Sequence, residues 1–492
     1  MSASQPTGAV SEVEAELRGG TYSKKVTEIE PGGVGFIPLE ERRGRPISLL
    51  WIWASPNFEF ATIFVGVLAV VGFNLTFSQA VVAIIVGTGL GSITHAVLSA
   101  RGPSLGVPQM VLSRIGFGKL GNILPAGLNA LTAGIGWFAV NSVSGAFALS
   151  ALTHWSRTLC LVLIVAAQIL IAFFGYNMLE FFEKYAFPVL IIVFVVACIV
   201  IFSKAHPGTA PHDPKGVNAT AGFLLTLGAA FGYAAGWNPY ASDYTRYFKP
   251  DTNRRMTGLW AGLGVFLSCV LLEIAGAAAT TIPGIDPTGG GWFSDNPATI
   301  FVGPMPSWLG KITLLAIALG AIAANVINIY SGSISFLAVG INLPSNIRRA
   351  ISALGFGLIG FILAIYGLKH VSTYENFLFV IAYWIGPWLG VYFTDQFLRR
   401  RHNVSGFLFD SKHNPWAGWV AMLVAGALSI WLFSNQQQYV GWFPKTYPSL
   451  GDIGFEVGFG LAVILYALFF FIGQSTSKAP TDEALVIPVN NA

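Results

Sequence analysis

The sequence predicts an all-α, polytopic membrane protein of twelve transmembrane helices, and three observations carry that prediction. Of its 492 residues, 54% are hydrophobic and 10% charged, against about 25% charged in soluble domains. Apolar stretches of roughly 20 residues, the length that crosses a bilayer, recur twelve times between polar or Gly/Pro punctuation. Two of them, the first and the sixth, are interrupted by polar, helix-breaking residues: Ala54-Ser55-Pro56-Asn57-Phe58-Glu59 and Gly236-Trp237-Asn238-Pro239-Tyr240. An unwound backbone inside a bilayer persists only where protein, a ligand or a water-filled cavity satisfies its N–H and C=O groups. Paired breaks in matching halves of a chain therefore point to a ligand cavity.

The first five spans are expected near residues 49–77, 79–100, 120–151, 158–178 and 185–202. The next five are expected near 219–240, 258–282, 309–339, 350–368 and 377–397, and the last two near 415–433 and 454–472. Residues 1–45 are polar and lack an apolar core, so they are expected to be neither a signal peptide nor a span but a disordered cytoplasmic tail. Residues 475–492 form a second cytoplasmic tail. With the amino terminus inside, 21 of the 27 Lys and Arg fall on the cytoplasmic side, the asymmetry that orients membrane proteins. Clusters such as Arg42-Arg43-Gly44-Arg45, Arg254-Arg255, Arg348-Arg349 and Arg399-Arg400-Arg401 are read as topology anchors, and no basic tract suggests a nucleic-acid partner.

Between spans seven and eight, residues 283–308 include Gly289-Gly290-Gly291 and read equally as a lid or a plain connector. His206 and His212, in a Pro-rich external loop with Pro207, Pro211 and Pro214, are expected to be solvated rather than metal-bound. Cys160, Cys198 and Cys269 sit in apolar stretches without metal-ligand spacing and are expected as packing residues. No metal site is expected.

Candidate ligand residues lie in four spans. Trp137 and Asn141 of the third are spaced i, i+4 and share a helix face, among small residues such as Gly134, Gly136 and Ser144. An indole with an amide one turn later suits a flat heterocycle with hydrogen-bonding edges; core packing and an interhelical bond explain the same pair. Asn325 and Asn328 of the eighth span carry planar amides able to pair with an amide-like ring edge, or equally to bridge helices. Trp237, beside Gly236 in the sixth-span break, is placed to stack on a ring. Ser55 and Asn57 occupy the first break.

Carboxylates within spans are expensive and usually functional. Glu59 and Glu273 have no cation nearby in sequence and are the better candidates for carrying a proton. Asp243 has Arg246 at i+3 and reads chiefly as a structural ion pair. Glu180 and Glu183 are expected in the connection between spans four and five.

The run Gly236-Trp237-Asn238-Pro239-Tyr240-Ala241-Ser242-Asp243-Tyr244-Thr245-Arg246-Tyr247 resembles the sixth-span signature of the nucleobase:cation symporter-1 family, purine/cytosine permease branch. Residues 382–393, Ala-Tyr-Trp-Ile-Gly-Pro-Trp-Leu-Gly-Val-Tyr-Phe, look like that branch's tenth span, and Asn325 to Ser331 like its eighth. The resemblance covers all twelve spans and leaves out the tails. It implies a leucine-transporter-type architecture of two inverted five-helix repeats, residues 46–205 and 206–402, followed by residues 403–474 holding spans eleven and twelve. Discontinuous first and sixth helices, a midplane site and alternating access go with it. It also implies that Trp137, Asn141, Trp237 and Asn328 are ligand positions, with Asn325 a near neighbour and Ser55 to Asn57 a looser match.

Sodium-coupled relatives place paired Ser/Thr hydroxyls on the eighth helix; here the matching positions are Leu319-Gly320 or Ile322-Ala323/Ala324. Hard cations need oxygen donors, so proton coupling is expected over sodium coupling. The expectation is thus a plasma-membrane importer of a nucleobase, with cytosine and purines such as hypoxanthine or adenine first, and without cofactor. A same-fold carrier of uracil, allantoin, thiamine, an amino acid or a compatible solute, or a non-transporting receptor, is the alternative. An enzyme is not expected, since no His, Cys or carboxylate constellation is clustered. The oligomeric state is left open.

Overall fold

The computed structural model describes residues 26–27, 33–209, 213, 216–285, 291–293, 296–341, 348–367 and 374–473. The described residues are helical, apart from turns, loops and one isolated bridge between Asn435 and Val440. Among the described residues, ten helices are long and apolar enough to cross a membrane, and a bent pair, Ser48–Asn57 with Phe60–Gly72, makes an eleventh span with a 64° bend. At the ninth expected position stands helix Arg348–Gly367, whose described apolar part, Leu354–Gly367, falls short of that length.

The other spans follow the expected order: Phe77–Ser99, Ile123–Thr153, Arg157–Phe174, Tyr176–Lys204, Ala219–Thr245, Arg254–Ala279, Ser307–Ala338, Tyr374–Leu398, Trp416–Phe433 and Gly454–Gly473. Spans one, two, six and seven pack together, and spans three, four, eight and nine form a second group. Spans five apart in sequence thus share a group. Spans ten, eleven and twelve pack on one another, and the tenth also lies against the sixth. Small residues set the close approaches: a Cβ at Gly66 would overlap the Glu273 carbonyl, and one at Gly276 the Ile63 carbonyl, the close backbone contact that membrane helices obtain from glycine.

Three expectations change. No loop separates spans four and five: Gly175, at φ 89°, is the only residue between Phe174 and Tyr176, a left-handed turn that suits glycine. Glu180 and Glu183 therefore lie within the fifth helix. The break in the sixth span falls where expected but takes a tighter form than that in the first: the α-helix stops at Ala235, Gly236 and Trp237 form a turn, and α-helix resumes at Ala241. Asn238–Tyr240 tightens into one 3₁₀ turn, where Pro239 needs no N–H donor, and the helix runs on to Thr245. Residues 33–45 of the expected disordered tail pack on the bundle: Val34, Ile37 and Arg42 are buried, Arg42 donates to the carbonyls of Ile37 (2.7 Å) and Pro103 (2.9 Å), and Arg43 reaches Asn177. The remainder of that tail apart from 26–27, the tail 475–492, the glycines 289–290, Pro211, His212 and Pro214, and the side chains of Arg348-Arg349 lie outside the described residues. The three cysteines are buried and unpaired.

Candidate functional site

The break in the first span is made and satisfied locally. Pro56 supplies no N–H, Phe58 takes φ −80°, ψ 66°, and Glu59 is extended at φ −150°, ψ 177°. The groups so freed are met by side chains. Asn57 Nδ2 donates to the Trp53 carbonyl (2.7 Å), Thr62 Oγ1 donates to the Asn57 carbonyl (2.5 Å), and Ser55 Oγ donates to the Trp51 carbonyl (2.8 Å). Glu59 caps the outer half-helix by accepting the backbone N–H groups of Ala61 (2.8 Å) and Thr62 (3.2 Å), a negative group at a helix N-terminus where the dipole favours it.

Glu59 also ties three spans together. Its carboxylate accepts the hydroxyls of Ser144 on the third span (2.8 Å) and Tyr233 on the sixth (3.2 Å). The Tyr233 and Thr62 hydroxyl oxygens lie 2.5 Å apart, and with the Thr62 proton on the Asn57 carbonyl the single Tyr233 proton serves both Glu59 and Thr62. Four donors on one carboxylate match its acceptor capacity, so Glu59 acts as a junction of the site rather than as an isolated acid.

Beside that junction lies an amide chain. Asn325 Oδ1 accepts from Asn141 (3.2 Å) and from Asn328 (3.1 Å), while its own Nδ2 donates to the Phe138 carbonyl (2.8 Å) and Ser142 Oγ (3.0 Å). Both acceptor and both donor positions of Asn325 are taken, so its amide orients the other two. Tyr240 donates to Asn328 Oδ1 at 3.4 Å, linking the sixth-span turn to the eighth span.

The indoles frame this cluster from two sides. Trp237 Nε1 donates to Asn57 Oδ1 (2.9 Å), and its ring lies 6.0 Å from those of Trp53 and Tyr240. Trp137 meets Tyr233 and Phe377 edge-on at 5.3 and 5.1 Å. A Cβ at Gly236 would stand 3.1 Å from Trp137 Nε1, so glycine there lets the two spans approach. Next to Ser144 a cavity of 320 Å³ is lined by Phe60, Phe64, Gly136, Val140, Tyr366 and Phe377, among others.

The structure thus brings Trp137, Asn141, Trp237, Asn325, Asn328, Asn57, Gly236 and Glu59 into one region between the two helix groups. It leaves out three expected residues. Ser55 turns its hydroxyl to the Trp51 and Glu183 carbonyls. Glu273 accepts Thr88 Oγ1 at 2.6 Å between spans seven and two. Asp243 accepts the Gln109 backbone N–H at 2.9 Å; the charge of Arg246 acts on it from nearby, while the guanidinium donates to the Gly33 carbonyl and to the Tyr247 and Tyr330 hydroxyls. Tyr233, Tyr240 and Ser144 are site residues that sequence reasoning missed. Tyr233, one turn before Trp237, carried the available signal.

Comparison with known proteins adds the family. Residues 36–458 match a family described as permease for cytosine/purines, uracil, thiamine, allantoin. A putative purine-cytosine permease of Bacillus subtilis is 28% identical over 454 residues, which is 89% of this chain and 95% of that protein. A purine-cytosine permease of Emericella nidulans is 30% identical over 452 residues, 89% of this chain and 87% of its own. The solved structure of Mhp1, a nucleobase-cation-symport-1 family transporter in a closed conformation with bromovinylhydantoin bound, aligns over 90% of this chain and 96% of that one, with TM-score 0.70 at 19% identity. That likeness speaks for the fold, a leucine-transporter-type helical architecture.

Proposed function

The chain belongs to the permease family for cytosine/purines, uracil, thiamine and allantoin, and on that premise we propose that it imports a nucleobase, cytosine or a purine, together with a proton across the plasma membrane. It is a multi-pass membrane transporter, not an enzyme. The observation that carries the substrate reading is the amide chain Asn141–Asn325–Asn328 set between two indoles. Asn141 and Asn328 pair with the edges of the ring once it displaces their bonds to Asn325, and Trp137 and Trp237 cover its faces, where stacking contributes roughly 1–3 kcal/mol per base. Asn57 holds the Trp237 indole, and Gly236 leaves room beside Trp137.

Proton coupling is favoured by what faces the first-span break on the eighth helix. Gly320 packs directly against the Phe58 carbonyl, and Leu319, Ala323 and Ala324 offer no side-chain oxygen. A hard cation there would lack donors. Glu59, Glu273 and Asp243 are the acids that the sequence offers for the proton. The Lys/Arg asymmetry supports an amino terminus and a carboxyl tail on the cytoplasmic side.

Uptake of radiolabelled cytosine, hypoxanthine, uracil and allantoin into cells lacking their own permeases, in sodium and sodium-free buffers at two pH values, tests both parts. Saturable uptake of cytosine or a purine without sodium, faster at low external pH, is the expected result. Strict sodium dependence overturns the coupling, and uptake of none of the four overturns the substrate reading.

A further inference from the structure

The tenth, eleventh and twelfth spans enclose a second cavity, of 200 Å³, none of whose lining residues belongs to the ligand site. It lies where the tenth span ends, the eleventh begins and the twelfth ends, on the face that the Lys/Arg asymmetry marks as cytoplasmic. Arg399 and Lys412 supply its cations, and Trp416, Phe469 and Phe470 its apolar wall. Trp416 is exposed, with its ring 5.0 Å from that of Phe469, and Phe471 and Ile472 beside it are exposed too, so the wall continues onto the outer surface of the bundle.

Arg399 is held in one orientation. Its side chain is 11% exposed, its Nε donates to Asp395 Oδ1 at 2.8 Å, and Tyr466 donates to the same oxygen at 2.6 Å. Phe407 and Phe470 stand against the guanidinium at 5.0 and 4.8 Å. With Nε taken and two rings packed on the group, the edge formed by Nη1 and Nη2 remains, and no carboxylate or carbonyl among the described residues accepts a hydrogen bond from it. The loop that brings Lys412 is fixed as well. His413 Nε2 donates to the Ile115 carbonyl at 2.9 Å, the Lys119 N–H to the His413 carbonyl at 3.1 Å, and the Leu120 N–H to Asn414 Oδ1 at 2.8 Å. The cavity is therefore built into the fold.

Charge at this end of the bundle is unbalanced. Residues 395–413 carry four cations, Arg399, Arg400, Arg401 and Lys412, against the carboxylates Asp395 and Asp410. Asp395 is engaged by Arg399 and Tyr466, and Asp410 accepts the Lys412 backbone N–H at 2.8 Å. The eleventh helix has no charged residue, and the twelfth has only Glu456, in its first turn at the opposite end. Such a surplus favours an anion, and the free edge of a guanidinium matches two oxygens of a phosphate. The aromatic wall favours a phosphate that carries acyl chains, since Trp settles at the level of lipid headgroups. A choline or ethanolamine headgroup would set its own ammonium among these cations, whereas a headgroup without a cation compensates them. Topology anchoring asks only for charge on one side of the membrane, not for a walled cavity with an oriented guanidinium.

We propose that this cavity binds the headgroup phosphate of an anionic phospholipid from the cytoplasmic leaflet, with Arg399 and Lys412 on the phosphate oxygens and the acyl chains along Trp416 and Phe469. The bound lipid joins the ends of the tenth and twelfth spans to the loop that opens the eleventh. The proposal concerns binding alone and does not rest on the transport reading above.

The test is native mass spectrometry of the full chain in detergent, titrated with dioleoyl phosphatidylglycerol, dioleoyl phosphatidylcholine or inorganic phosphate. One phosphatidylglycerol, bound at a several-fold lower concentration than phosphatidylcholine, is expected, and no retained inorganic phosphate. Lys412→Gln, at an exposed position, should weaken phosphatidylglycerol about fivefold. Arg255→Gln, which removes an exposed cation at the start of the seventh span on the same face, should leave it unchanged. Equal weakening in both variants means a diffuse basic surface and overturns the site, as does equal affinity for the two lipids. Inorganic phosphate held as tightly as phosphatidylglycerol overturns the lipid assignment. Arg399→Lys keeps a cation for Asp395 but loses the two-oxygen edge, so it should abolish the preference between the lipids; an undiminished preference overturns the role of Arg399. If that variant is not recovered folded, the wild type is labelled with a photoactivatable phosphatidylglycerol. Label on peptides from residues 412–419 or 466–473 supports the proposal, and label confined to other helix ends overturns it.

Discussion

The carbonyl oxygen of Phe58, at the break of the first span, lies against Gly320 on the eighth, with no space for a Cβ between them. The contact joins the two helix groups at the level of the site. It also fills the place where a cation would bridge the break and the eighth helix with backbone alone.

Gly320→Ala is therefore expected to push the two spans apart. Overpacking of this kind costs roughly 1–3 kcal/mol, and the loss should appear both as a lower melting temperature in detergent and as reduced uptake. Gly320→Ser brings an oxygen but the same clash, and is expected to lose uptake without acquiring sodium dependence. Wild-type uptake by either variant would remove this contact from the closed state.

The three asparagines are expected to separate by role. Asn328→Ala should abolish or respecify uptake while surface expression stays intact, because among the described residues Asn328 donates only to Asn325 and accepts only from Tyr240 at a long 3.4 Å. Asn325→Ala leaves the buried amide groups of Asn141 and Asn328 without their acceptor, while Ser142 keeps its bond to Gln168. Each orphaned group costs about 1–3 kcal/mol, so this variant should lose folded protein as well as uptake. Expression and melting temperature, measured beside uptake, separate the two. Equal stability of both variants would contradict the orienting role of Asn325.

Glu59 makes a third prediction. Glu59→Gln keeps the shape but replaces one acceptor oxygen with a donor, setting it against donors from Ala61, Thr62, Ser144 or Tyr233. Loss of an N-cap alone costs about 0.5–2 kcal/mol. Uptake should be lost in Glu59→Gln, whereas Ser144→Ala and Tyr233→Phe, each removing one donor, should retain partial uptake with raised KM. Unchanged kinetics in all three would remove the junction from the transport cycle.

How far the sequence could be read follows from the range of the forces involved. Runs of apolar residues report burial in lipid directly, so the spans and their order were legible, as was the first break, since Pro56 and the capping Glu59 act on their own neighbours. The sixth break was legible in its place, Gly236 to Tyr240, but not in its form, because Asn238-Pro239 suits a 3₁₀ turn as well as an unwound segment. Gly175 was missed as a complete connection because apolar and charged residues continue on both sides of it, and Glu183 was consequently assigned to a loop. Asn325 could not be told from its neighbours, since its four bonds come from residues 138, 141, 142 and 328. The packing of residues 33–45 depends on groups more than 200 residues away, such as Arg246 on the Gly33 carbonyl and the Phe409 ring on Phe36, of which no local pattern gives notice.

That packed segment yields the last prediction. Arg42 is 3% exposed and holds the segment to the second-span end through the Ile37 and Pro103 carbonyls. Gly106, at φ 66°, makes room for its guanidinium, since a Cβ there would overlap it. Burial, and then the neighbouring charge of Arg246, lower Arg42 to about 10, so it remains a cation at neutral pH and its donors stay in place. Arg42→Ala orphans two buried carbonyls, at about 1–3 kcal/mol each. Hydrogen exchange of residues 33–45 should then accelerate toward that of an unfolded segment, while Arg45→Ala, at an exposed position, leaves it unchanged. Equal protection in both variants would mean that the apolar contacts of Val34 and Ile37, rather than Arg42, hold the segment on the bundle.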